Sequence, residues 1–160
     1  MPSLQLEAMA EQLLRCGITH VVWVPDSELG GLEPLFDPSI RLIPACREGE
    51  AMAIAAGLMI GGERPVVICQ CTGFFEAGDA FRNVARDLKL PLFVLIGHRN
   101  RTAFVAGRSK DTAARYLEPI LDAWELPHYL LELDGDPAVI EEAYRHTRET
   151  DEAAAVIIAE

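Results

Sequence analysis

Six short apolar runs, separated by longer stretches of helical periodicity, constrain this chain more than any other feature. The runs are Val21 to Val24, Leu42-Ile43, Val66 to Cys69, Leu92 to Ile96, Tyr129 to Leu131 and Ala155 to Ala159. None alternates strictly between apolar and polar residues, which is the pattern of strands covered on both faces. Between them the spacing predicts helices over 3–15, 28–36, 47–61, 76–88, 112–124 and 137–149, with Gly17 at one helix end and Pro137 in one first turn. Strand–helix alternation on this scale implies a parallel sheet with right-handed crossovers. The expected fold is therefore three-layer α/β: a mostly parallel central sheet of about six strands with helices on both faces. With 160 residues and no linker or repeat, residues 1–160 form a single domain. The one long irregular stretch is expected at 97–111, GHRNRTAFVAGRSKD.

Charge and cysteine usage narrow the function. Against 25 acidic residues stand 14 Lys and Arg, a formal net charge of -11. No broad basic surface is available for nucleic acid or an anionic membrane, so neither is an expected partner. A local arginine pocket for a small anion remains open. Cys16, Cys46, Cys69 and Cys71 have neither zinc-site nor CxxC spacing, and they fit reduced thiols of a cytoplasmic protein. The first residues, MPSLQLEAMAEQL, lack a secretory leader pattern, and no apolar run reaches the ~20 residues of a membrane span. The histidines at 20, 98, 128 and 146 are too scattered for a metal site, and none is expected. GxGxxG, GxxxxGK[ST] and GxSxG are all absent.

In parallel sheets ligands sit beyond the carboxyl ends of the strands. Four segments converge there: Pro25-Asp26-Ser27, Arg47-Glu48-Gly49-Glu50, Cys71-Thr72-Gly73 and Gly97-His98-Arg99. The second opens a helix of unusually small residues, continuing Ala51-Met52-Ala53-Ile54-Ala55-Ala56-Gly57. A glutamate in a helix first turn is favoured by the dipole alone. Here, however, the thin helix lets a flat ligand or another backbone come close, and its Ala/Gly face, Ala55 included, is expected to meet a partner chain.

These segments, taken in order with Val24-Pro25-Asp26-Ser27, Gln70-Cys71-Thr72-Gly73 and Leu90-Pro91-Leu92-Phe93-Val94-Leu95-Ile96-Gly97-His98-Arg99, resemble the pyrimidine-binding domain of thiamine-diphosphate-dependent 2-oxo acid decarboxylases. The nearest branch is that of the sulfopyruvate and phosphonopyruvate decarboxylases. The family's glutamate lies nine residues before the glycine of the alanine-rich helix, a relation that selects Glu48 with Gly57. The resemblance implies that Glu48 is catalytic, sharing a proton with the N1′ of the cofactor's aminopyrimidine. Pro25, Glu48, Thr72, Gly73 and Phe74 are the expected cofactor contacts. Asp26, Ser27, His98, Arg99 and Arg108 are the expected substrate contacts, with Arg101 and Lys110 adding to a basic loop that could clamp a second anionic group.

The same resemblance implies an alpha subunit of a split carboxy-lyase. A separate beta subunit would carry the diphosphate-binding domain and hold Mg2+, giving a hetero-oligomer, or a homo-oligomer for the chain alone. The substrate would be a small anionic 2-oxo acid such as sulfopyruvate or phosphonopyruvate. Asp134-Gly135-Asp136 is the one local echo of the family's metal-binding GDG motif. Two departures stand near the expected substrate. Gln70-Cys71-Thr72-Gly73-Phe74-Phe75-Glu76 replaces a family stretch close to QNSGLGN, and Lys110-Asp111 lacks the histidine that follows it in KDEPQH. They leave two alternatives: another thiamine-diphosphate-dependent lyase or carboligase subunit, or a non-catalytic binding module with the same fold.

Overall fold

The computed structural model describes residues 3–25, 29–132 and 134–159. Helix α1 (Ser3–Arg15) precedes β1 (His20–Trp23) and a 3₁₀ helix at Gly30–Leu35. Strand β2 (Arg41–Pro44) leads to α2 (Glu48–Ile60), and β3 (Pro65–Gln70) runs without a loop into α3 (Cys71–Glu76). Helix α4 (Gly78–Arg82) continues through a π turn at Asn83–Asp87 towards β4 (Phe93–His98). The order closes with α5 (Arg101–Val105), α6 (Thr112–Ala123), β5 (His128–Leu131), α7 (Ala138–Thr150) and β6 (Ala154–Ala159). The six strands form one sheet in the order β2-β1-β3-β4-β6-β5, and every pairing is parallel.

The missing alternation has its expected cause. Val21, Trp23, Val66, Ile68, Phe93, Leu95, Val156 and Ile158 pack towards α1, the 3₁₀ helix and α7. Their neighbours Val22, Val67, Cys69, Val94, Ile96, Ala155 and Ile157 pack towards α2, α3, α4 and α6. Both faces of the central strands are thus apolar, and three layers result. Among the described residues no helix is long and apolar enough to cross a membrane.

Three expectations are corrected. The helix expected over 76–88 begins at Cys71, so Cys71-Thr72-Gly73 is a helical first turn instead of a loop. Phe74, Ala77, Phe81 and Val84 are all buried, and they carry one stripe across the breaks in helix type. Phe74 lies 5.0 Å from Phe81 and 5.6 Å from Trp124, ring to ring, which ties the start of α3 to the core. Second, the stretch 97–111 is not irregular throughout, since β4 extends to His98 and α5 follows. Third, Ala55 does not face a partner. Ala51, Met52, Ala55 and Ala56 are buried against the sheet and α4, while Ala53, Gly57 and Ile60 form the exposed side of α2.

Candidate functional site

The chain leaves β1 for β2 on one side and returns to lay β3 on the other. The carboxyl ends of β1 and β3 therefore flank a topological switch point, where open α/β sheets bind ligands. Pro25 follows β1 and is exposed; Asp26 and Ser27 lie outside the described residues. Helix α2, launched from β2, and α3, launched directly from β3, bring their first turns together at this crevice.

Three glutamates meet there and are used differently. Arg47, in extended conformation at the N-cap of α2, provides no side-chain cap. Glu50, in the first turn, reaches back to accept the Cys46 backbone N–H at 2.9 Å. Glu76, at the end of α3, accepts the Gly49 backbone N–H at 3.1 Å and Arg47 Nε at 2.9 Å, with a second contact from the Arg47 Nη2. These bonds satisfy donors that a helix start otherwise leaves open. They also hold the Glu76 carboxyl below the usual carboxylate range, the Gly49 N–H contributing most and Arg47 next. Glu48, between Arg47 and Gly49, is half-buried, and its carboxylate has no hydrogen bond or ion pair with a described residue.

Glu48 rests on Gly73. A Cβ built at Gly73 would stand 2.6 Å from Glu48 Cγ and closer still to its carboxyl group. Only a residue without a side chain leaves that space. The catalytic candidate and one expected cofactor residue are thus in direct contact, and Thr72 is exposed beside them. Phe74 is different: its side chain is fully buried in the aromatic cluster, so only its backbone can face the crevice.

The expected substrate residues are less gathered. His98 is fully buried at the end of β4, and neither ring nitrogen makes a formed hydrogen bond. Burial pushes its pKa below 6.5, with Glu118 opposing, Arg101 assisting, and the Ala114 backbone and Asp111 also opposing. The side chain cannot touch a ligand while α6 covers it. Arg101 is withdrawn as an anion clamp, because it pairs with Glu118 at 2.7 Å and Glu132 at 3.4 Å and is only 15% exposed. Arg99, Arg108 and Lys110 are exposed. Asp111 caps α6 by accepting the Ala113 N–H at 2.9 Å and also accepts from Asn100 at 3.0 Å. In Asp134-Gly135-Asp136, the Gly135 N–H is donated to the Glu132 carbonyl and Asp136 accepts the Ala138 N–H, so the motif is a turn that starts α7. Among the described residues no group of three or more His, Cys, Asp or Glu side chains could hold a metal ion. The bonds of Glu76 to Arg47 and Gly49 were not foreseen; the clue was the spacing of Gly73 and Glu76, three apart on one helix face.

A family model for the N-terminal TPP-binding domain of thiamine pyrophosphate enzymes matches residues 6–122. The sulfopyruvate decarboxylase subunit alpha of Methanocaldococcus jannaschii is 29% identical over 140 residues, 86% of this chain and 79% of that one. Its namesake from Methanococcus maripaludis is 24% identical over 152 residues, covering 91% and 84%. Among solved structures, a thiamine diphosphate-dependent 4-hydroxybenzoylformate decarboxylase from Rhodococcus jostii superposes with a TM-score of 0.74 at 20% identity. That match covers 96% of this chain and 29% of the other, a likeness of fold.

Proposed function

This chain belongs to the thiamine pyrophosphate enzymes, whose N-terminal TPP-binding domain it carries, and we propose that it is the alpha subunit of a decarboxylase for a small acidic 2-oxo acid, sulfopyruvate foremost. One observation carries the assignment of roles. Glu48 presents an unpartnered carboxylate, half-buried at the switch point, on a floor of bare Gly73. The aminopyrimidine of thiamine diphosphate fits that geometry, because it offers a ring nitrogen to a carboxyl group whose side chain is seated in the space that Gly73 leaves. Bound there, the cofactor supplies the electron sink that a 2-oxo acid needs to lose carbon dioxide.

The chain's own residues then have distinct tasks. Glu48 holds and exchanges a proton at the ring nitrogen, which a glutamine could not do. The apolar wall of α2 behind it keeps water away and strengthens that coupling. Arg99 and Arg108 attract the second anionic group of sulfopyruvate or phosphonopyruvate, a task in which Asp26 and Ser27 share. The sulfopyruvate decarboxylase relatives are named as alpha subunits, which supports assigning Mg2+ and the diphosphate end to a separate beta chain. Four free cysteines suit a reducing compartment, the cytoplasm.

The test is Glu48→Gln in the chain assembled with its beta partner. Turnover should fall by about 100-fold, the usual loss for a positioned acid–base group. Exchange of the cofactor's C2 proton should slow in parallel. In Glu50→Gln, which disturbs only the bond to Cys46, exchange should stay near wild type. Fast exchange in Glu48→Gln would remove Glu48 from the role.

A further inference from the structure

We propose that Glu76 is a positioning residue for Glu48, reaching from α3 to fix the residues on both sides of it. The proposal rests on the role assigned to Glu48 above and deepens it. Glu48 is the first residue of α2, where a helix lacks internal hydrogen bonds for its N–H groups and frays most easily. Helix starts are ordinarily held by a Ser, Thr, Asp or Asn at the N-cap. Arg47 occupies that position and caps nothing itself. Glu76 does the work from 27 residues away, accepting the Gly49 N–H with one oxygen and the Arg47 guanidinium with the other.

Two features make this more than a surface ion pair. The bonds land on the residues immediately before and after Glu48, directly on the Gly49 backbone N–H and through the side chain on Arg47, so they restrain the chain around that one residue. The side chain retains its own torsions, and Gly73 closes them from below. Gly73 and Glu76 are three apart in α3, on one face of a helix. A single turn of α3 therefore supplies both the floor for the Glu48 side chain and the anchor for its backbone. A carboxylate is required because two donors converge on it; a glutamine has one accepting oxygen and can serve only one of them. The replacement of the family's expected asparagine by Glu76 thus acts on the helix start of α2.

The test compares Glu76→Ala and Glu76→Gln with wild type, first in the cofactor-free chain and then in the assembled enzyme. In the free chain, amide hydrogen exchange at Gly49 should quicken by about tenfold in Glu76→Ala, as an open helix start requires. In the assembled enzyme, turnover should fall by about tenfold or more in Glu76→Ala, since small misplacements of a reacting group are costly. The KM and the thermal midpoint should stay near wild type, and Glu76→Gln should recover part of both losses. Faster exchange with unchanged turnover would overturn the proposal, as would a turnover loss that follows a fall in the midpoint. Glu48→Gln separates the two readings. If it is inactive while Glu76→Ala is not, only the positioning role fails; if it remains active, the role of Glu48 fails independently.

Discussion

At the scale of single residues, the crevice depends on what is left out as much as on what is present. Gly73 has no Cβ because Glu48 fills that space. The clash in Gly73→Ala would fall on a flexible side chain, so Glu48 should yield and the fold should persist. We expect turnover of the assembled enzyme to drop by about 100-fold, comparable to losing the carboxylate outright, while the thermal midpoint of the free chain stays within a few degrees. A large fall in the midpoint would mean that α3 itself cannot accept the extra carbon. Glu48 could be singled out as a candidate from the sequence, since its family-like distance to Gly57 and its place at the start of an alanine-rich helix are both linear features. The Gly73 contact and the Glu76 anchor were not, because they join residues brought together by the sheet.

At the scale of elements, the strands were the most legible part. All six apolar runs became strands, since burial on both faces demands unbroken apolar sequence. What misled was the end of β3: Cys71-Thr72-Gly73 was expected as a loop, yet the buried stripe of Phe74, Ala77, Phe81 and Val84 draws the helix back to Cys71. The other departure, α5, is a short turn whose sequence carries no strong periodicity. The cover that α6 places over His98 has a measurable effect. Burial lowers the folded pKa of His98 below 6.5, so between those two values the unfolded chain binds the extra proton. Stability should therefore be full above about pH 6.5 and decline as the pH falls through and below it. Glu118 and Asp111, which are held below the usual carboxylate range by Arg101 and Asn100 respectively, contribute losses only at lower pH. Denaturant unfolding at pH 8 and pH 5.5 should show a larger drop for wild type than for His98→Gln. Equal drops would place the titration elsewhere.

At the scale of the whole molecule, the chain brings the half-buried Glu48 carboxylate to the crevice, in a fold whose relatives are named as alpha subunits. The isolated chain should accordingly bind thiamine diphosphate weakly, because a diphosphate is held chiefly by a metal ion and its ligands. Calorimetry with Mg2+ present should show tight binding only after a beta chain is added; micromolar binding to this chain alone would contradict the split arrangement. The strand order carries a consequence of another kind. Strand β6, last in sequence, lies between β4 and β5, and it is the neighbour through which β5 joins the sheet. During synthesis, β5 has no strand to pair with until residues 154–159 have cleared the ribosome, although α6 can already pack against α3. The crevice between β1 and β3 can assemble early, whereas the β5 edge of the sheet is timed by β6.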